Sequence, residues 1–197
     1  MALTKFPKFI QKHYEIREWR HASAILQTDF ASEYADLCDV LSRFRLRKSQ
    51  LIIGGGGKTK DIAGWIDREF MQKGWKEKRF ETKIVIDTSE LESPTHKVDC
   101  FKNRVALEIE WNNKDPFFDR DLNNFRLLFD LRVISVGIII TRCDELQELF
   151  DSLSIGQKYG PTTTHMKRLL RRIEGGSGGG CPILAVGIRR FLYDEDS

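Results

Sequence analysis

Residues 98–141 read VDCFKNRVALEIEWNNKDPFFDRDLNNFRLLFDLRVISVGIIIT, and this stretch decides the fold. Its run RVALEIEW (residues 104–111) is short, apolar and rich in strand-forming residues, which predicts a β-strand. Side chains two apart on a strand share a face, so Glu108 and Glu110 project together beside a hydrophobic core. Carboxylates placed there carry a desolvation cost that a divalent cation would offset. If the preceding segment turns back as a hairpin, Asp99 reaches the same place. Three converging carboxylates make a hard oxygen set that suits Mg2+ (magnesium). Downstream, residues 117–131 predict a helix, with Phe118, Leu122, Phe125, Leu128 and Phe129 forming a wide apolar stripe. Residues 133–141 predict a strand buried on both faces, and strand, helix and strand in that order imply a parallel crossover. The expected fold class is α/β, a mixed central β-sheet flanked by helices.

Asp99, eight intervening residues, then Glu108-Ile-Glu110 on a strand resembles the signature of the PD-(D/E)xK nucleases: an Asp, a spacer, then Glu-x-Lys. Here Glu stands in place of the Lys, a departure that occurs in the BglII branch of restriction endonucleases. The segment DCFKNRVALEIE (99–110) looks like that family's active-site strand pair. HASAIL (21–26), KGWKE (73–77) and PILAVGI (182–188) are similar to it as well, so the likeness covers most of the chain. The resemblance implies a restriction-endonuclease-like core and a type II site-specific deoxyribonuclease. Such an enzyme makes Mg2+-dependent double-strand breaks in double-stranded DNA at a short palindrome, in relatives one centred on GATC. It also implies a homodimer, a cognate DNA methyltransferase in the same system, and a role in restriction-modification defence. On this pattern Asp99, Glu108 and the Ile109 carbonyl hold the metal. Glu110 orients the attacking water or acts as general base, and a role in holding a second metal is open to it. A fourth acidic residue supports the metal in that branch, with Glu77 and Glu81 the candidates, and the helix after the strands contributes to the dimer interface.

Length and composition agree with one endonuclease domain over residues 1–197. The hydrophobic fraction is 41% and the charged fraction 31%. Net charge is only +3, from 32 basic and 29 acidic residues, which does not announce a nucleic-acid binder. Basic residues do gather at 43–48, 73–83 and 167–172, and local patches matter more than the total for phosphate contact. For any single cluster a solvated helix face is the more ordinary explanation. The four cysteines form no CxxC pair, which argues against zinc. With no signal-peptide core and no membrane-length apolar run, a reduced cytoplasmic location is expected.

Along the rest of the chain, residues 13–19 suit an early strand and 20–26 a helical turn. Residues 32–46 suit a helix capped by Ser32. IGGGGKTK (53–60) fails the phosphate-loop pattern, because the required first glycine would fall on Ile52. It reads either as a surface loop or as a loop near DNA to which Lys58 and Lys60 add charge. Residues 61–73 predict a helix, 82–87 a strand and 88–97 a turn region. Asn112, Asn113 and Lys114 follow the acidic strand and are candidate DNA contacts, although asparagines are ordinary in turns. Residues 144–153 and 165–173 predict helices, 175–180 a flexible loop, 182–188 a buried strand and 191–197 a flexible acidic tail. His96 and His165 are possible bases that this chemistry does not require. Two other readings remain: a PD-(D/E)xK nuclease of repair or phage defence, and a DNA-binding module whose carboxylates form a salt-bridged strand.

Overall fold

The computed structural model describes residues 6–53, 62–160 and 162–195. The chain begins with α1 (Lys8–His13), β1 (Tyr14–Trp19), α2 (Ala22–Asp29) and α3 (Ala31–Arg43). A two-residue strand, β2 (Leu46–Arg47), leads into α4 (Lys48–Ile53). Next come α5 (Ile62–Gln72), β3 (Lys76–Lys78), β4 (Glu81–Ile86) and β5 (Ser89–Pro94). The central stretch forms β6 (Val98–Lys102), β7 (Val105–Glu110), α6 (Pro116–Asp130) and β8 (Val136–Arg142). The remainder supplies α7 (Leu146–Ser152), α8 (Met166–Glu174), β9 (Ile183–Ile188) and β10 (Tyr193–Asp194).

Six strands make the central sheet in the order β1-β9-β8-β7-β6-β3. It is mixed: β7, β8 and β9 run parallel, while β1, β6 and β3 join antiparallel. The β6–β7 hairpin closes through Asn103 and Arg104, both at positive φ (44° and 70°), as a two-residue primed turn requires. Its register pairs Cys100 with Leu107, and one step further sets Asp99 against Glu108. The crossover from β7 through α6 to β8 is parallel, as the order of apolar segments implied.

Alternation along β7 feeds two cores. Leu107, Ile109 and Trp111 join a core built with α1, α2, α3, α5 and α7, through residues such as Ile10, Leu26, Leu37, Ile66 and Phe150. Ala106 faces the other core, made by Phe118, Leu122, Phe125 and Leu128 of α6 and by Leu169 of α8. Every residue of β7, β8 and β9 is buried. Glu108 and Glu110 therefore share the α6 side of the sheet with Ala106. The approach of α6 is close: a Cβ on Gly137 of β8 would stand 2.3 Å from the Phe125 ring.

Four local expectations are corrected. Ser32 lies inside α3, which starts at Ala31 with no side-chain cap, and the helix ends at Arg43 because Phe44 turns extended. Residues 89–94 are a strand rather than a turn, zipped against β4 from Glu81↔Pro94 to Ile86↔Ser89. The glycine-rich segment 175–180 is a packed turn: Gly178 is buried, and a Cβ there would meet the Ile183 side chain at 2.3 Å. The start of the expected tail is docked, since Leu192 is buried and Tyr193–Asp194 pair in parallel with Leu46–Arg47.

Candidate active site

The hairpin and the crossover bring acidic side chains together at the end of β7. Glu108 is 0% exposed and Glu110 2%, so both carboxyls stand in the interior. The Asp99 amide donates to Glu108 Oε2 (3.3 Å), and the Ile109 amide donates to Asp99 Oδ2 (3.1 Å). Backbone donors thus fix the Asp99 and Glu108 carboxylates relative to each other. Glu108 Oε1 is buried with no hydrogen-bond partner.

Glu110 is held by other groups. Asn113 Nδ2 donates to its Oε2 (2.8 Å), and Arg120 Nη2 to its Oε1 (3.2 Å). Its backbone carbonyl accepts from the Thr141 and Thr164 hydroxyls (2.8 and 3.1 Å), which anchors the end of the strand. The following loop is stitched to residues 158–164: Asn112 Nδ2 donates to the Lys158 carbonyl, and the Thr164 amide to the Asn113 carbonyl. Of the candidate DNA contacts, Asn112 is buried and occupied within the fold, Asn113 reaches into the acidic site, and Lys114 is exposed. Lys58 and Lys60 lie outside the described residues.

Two carboxylates that the sequence reading missed complete the cluster. Asp121 of α6 is 0% exposed and bound on one side by Arg120, whose Nη2 lies 2.8 Å from its Oδ1; Asp121 Oδ2 is buried without a partner. Asp67 of α5 approaches from the opposite layer, accepting from the Cys100 thiol at 3.6 Å. Both occupy positions that helical periodicity can reveal. Asp121 falls three residues after Phe118 and four before Phe125, in register with the apolar stripe of α6. Asp67 follows buried Ile66 directly. Of the candidate fourth acids, Glu77 pairs with Lys97 at 2.7 Å while its charge still bears on Asp67, and Glu81 is exposed on β4. His96 is exposed, and His165 stands at the start of α8 near Asp144 (3.4 Å).

The electrostatics follow from crowding. Burial, then the charges of Asp121 and Asp99, hold the Glu108 carboxyl well above its ordinary range. Burial and then Asp121 push Glu110 up to about 9. Burial also raises Asp121, against the pull of Glu110 and Arg120. Asp67 rises to about 6 through burial and then the charge of Asp99. Five carboxyl groups share this region, and Arg120 is the cation bridging two of them.

Such a site fits a divalent cation. Its donors are hard oxygens, two of them buried and unpartnered, and their mutual repulsion is what a cation relieves. Among the described residues, no three His, Cys, Asp or Glu side chains already converge closely enough to grip an ion.

Part of the basic clusters is spent on ion pairs. Arg43 meets Asp39 and Glu69, Lys73 meets Asp39, and Lys83 meets Glu90. Arg168 and Arg172 bind Asp115, and Arg172 also binds Asp119, which fastens α8 to the start of α6. Lys167 and Arg171 of the same helix are exposed. No described helix is long and apolar enough to cross a membrane.

A family model described as Restriction endonuclease BglII/BglIII matches residues 14–188, from the first residue of β1 to the last of β9. No curated protein matches the chain.

Proposed function

From its membership of the BglII/BglIII restriction endonuclease family, and hence its nature as a nuclease, we propose that this chain is a type II enzyme making Mg2+-dependent double-strand cuts at a short palindromic DNA site. The observation that carries the reading is the hairpin pair: Asp99 and Glu108 locked together by backbone donors, with Glu108 Oε1 buried and unpartnered. Asp99, Glu108 and the Ile109 carbonyl are the groups that would hold the cation. When bound, the cation supplies positive charge at the scissile phosphate.

Glu110 stands where many nucleases carry lysine, and a carboxylate there takes a different task. Once deprotonated it accepts the proton of an attacking water, and Asn113 orients the carboxyl through its Oε2. Burial keeps that carboxyl protonated near neutral pH, so the site is poised to work only when the negative charge around Glu110 is reduced. The protein acts as a homodimer in the cytoplasm, and a cognate methyltransferase protects the host site within a restriction-modification system.

The test is incubation of the purified chain with unmethylated plasmid or phage DNA, with Mg2+ and with chelator. Discrete fragments only with Mg2+ are expected. Asp99→Asn and Glu108→Gln should abolish cleavage while DNA binding in a gel shift persists. Full activity in either variant would overturn the assignment. A smear would point to a non-specific nuclease, and shifted but intact DNA to a binding module.

A further inference from the structure

The acidic cluster contains two carboxylates that the family signature on β6 and β7 does not specify, Asp67 and Asp121, and of these Asp121 is the fully buried one. Asp121 comes from α6, is 0% exposed, and has one oxygen with no partner. Its other oxygen shares the Arg120 guanidinium with Glu110: Arg120 Nη2 lies 2.8 Å from Asp121 Oδ1 and 3.2 Å from Glu110 Oε1. Arg120 is the outer member of this group, with 31% of its side chain exposed. Glu108 Oε1 is the second buried oxygen without a partner.

A buried carboxylate facing two others is a costly arrangement, and breaking the pairing of a buried charge is costly as well. A core position three residues after Phe118 and four before Phe125 would ordinarily carry an apolar side chain. A salt bridge to Arg120 does not require burial, because Asp119 beside it is exposed and still binds Arg172. What burial adds is proximity to Glu110, whose carboxyl shares the Arg120 guanidinium with Asp121 in the interior.

We propose that Asp121 is a metal-ligating residue of the site, delivered by α6 opposite the β6–β7 hairpin, and that Arg120 is the internal cation that a divalent ion displaces from Glu110 and Asp121. This rests on the reading of Asp99 and Glu108 as metal ligands. The two side chains then act on metal affinity with opposite sign. Removing Asp121 takes away a ligand, whereas removing Arg120 takes away a competitor.

The experiment is titration of the full chain with Mn2+ at neutral pH, followed by the electron paramagnetic resonance signal of free Mn2+ and in the absence of DNA. Asp121→Asn should weaken binding by about tenfold or more, the scale on which metal-site substitutions act. Arg120→Gln should tighten it several-fold, and Asp119→Asn should leave it unchanged. If Asp121 served only to anchor Arg120, both substitutions would lower the melting temperature in chelator and leave Mn2+ affinity alone, and that result overturns the proposal. Wild-type affinity in Asp121→Asn with loss in Asp99→Asn overturns the Asp121 assignment alone. Wild-type affinity in Asp99→Asn overturns the metal centre itself. Should Asp121→Asn not fold, Arg120→Gln decides by itself: tighter Mn2+ supports the proposal, and unchanged or weaker Mn2+ refutes it.

Discussion

Glu110 shows at the residue scale how a site can be legible in one respect and hidden in another. Its spacing from Glu108 put both carboxyls on one face of a strand, and the structure has both buried there. What it meets on that face comes from 10 and 11 residues further on, Arg120 and Asp121, and strand periodicity says nothing about a facing helix. A carboxylate in register with an apolar helical stripe was the available signal. The pH behaviour follows from this environment. The folded carboxyl is raised to about 9 from an ordinary value of 4.5, so the folded state keeps a proton that the unfolded chain releases. The contribution to stability is fully present below pH 4.5 and is lost as pH rises through about 9. Asp67, raised to about 6 from 3.8, adds a loss of the same sign at lower pH. Thermal melts in chelator should therefore fall as pH rises from 5 to 9, and Glu110→Gln should flatten the upper part of that fall. At this chain length each kcal/mol lost moves the midpoint by roughly 2–4 °C. A melting temperature that rises over this range would contradict the protonated Glu110.

At the scale of elements, α6 matters as much as the acidic strand. Its stripe was readable because Phe118, Leu122, Phe125 and Leu128 recur at helical spacing. Its depth was not, because that depends on Gly137 of β8, where a Cβ would lie 2.3 Å from Phe125. The glycine lets the helix settle onto the sheet, which sets how far Asp121 reaches toward Glu108 and Glu110. Gly137→Ala should cost about 1–3 kcal/mol by overpacking. It should also weaken Mg2+-dependent cleavage beyond what the stability loss explains, since the helix carrying Asp121 is pushed outward. Phe125→Leu should recover part of both losses by making room for the added methyl. Urea unfolding and cleavage rates on the single and double variants check this, and losses that add without recovery would separate the helix from the site. The same dependence on distant partners explains the glycine-rich turn at 175–180, whose composition says flexible and whose packing against Arg126 and Phe129 of α6 says otherwise.

At the scale of the whole molecule, one chain offers one acidic cluster, and a palindromic duplex presents two equivalent strands. The proposed two-fold dimer would resolve the mismatch by giving each strand its own site. The family resemblance points to the helix after the acidic strands, α6, as part of the proposed dimer interface, whereas composition alone marks no such surface, because self-recognition needs no composition distinct from other exposed residues. The outward face of α6 carries Asn123, Arg126 and Asp130, an unremarkable polar set, and Leu131 just beyond the helix is half exposed at 51%. The catalytic consequence is nonetheless sharp. Mixed dimers of wild type and Asp99→Asn hold one working site, and each should cut one strand of supercoiled plasmid. The expected product is nicked circle at the cognate site, with linear DNA only from wild-type dimers. Tagging the two chains differently and purifying through both tags isolates the mixed species. A monomer that cuts the strands in successive visits would yield no stable mixed species. A mixed dimer that linearises plasmid as fast as wild type would mean that one cluster serves both strands, and the pairing of sites with strands would have to be abandoned.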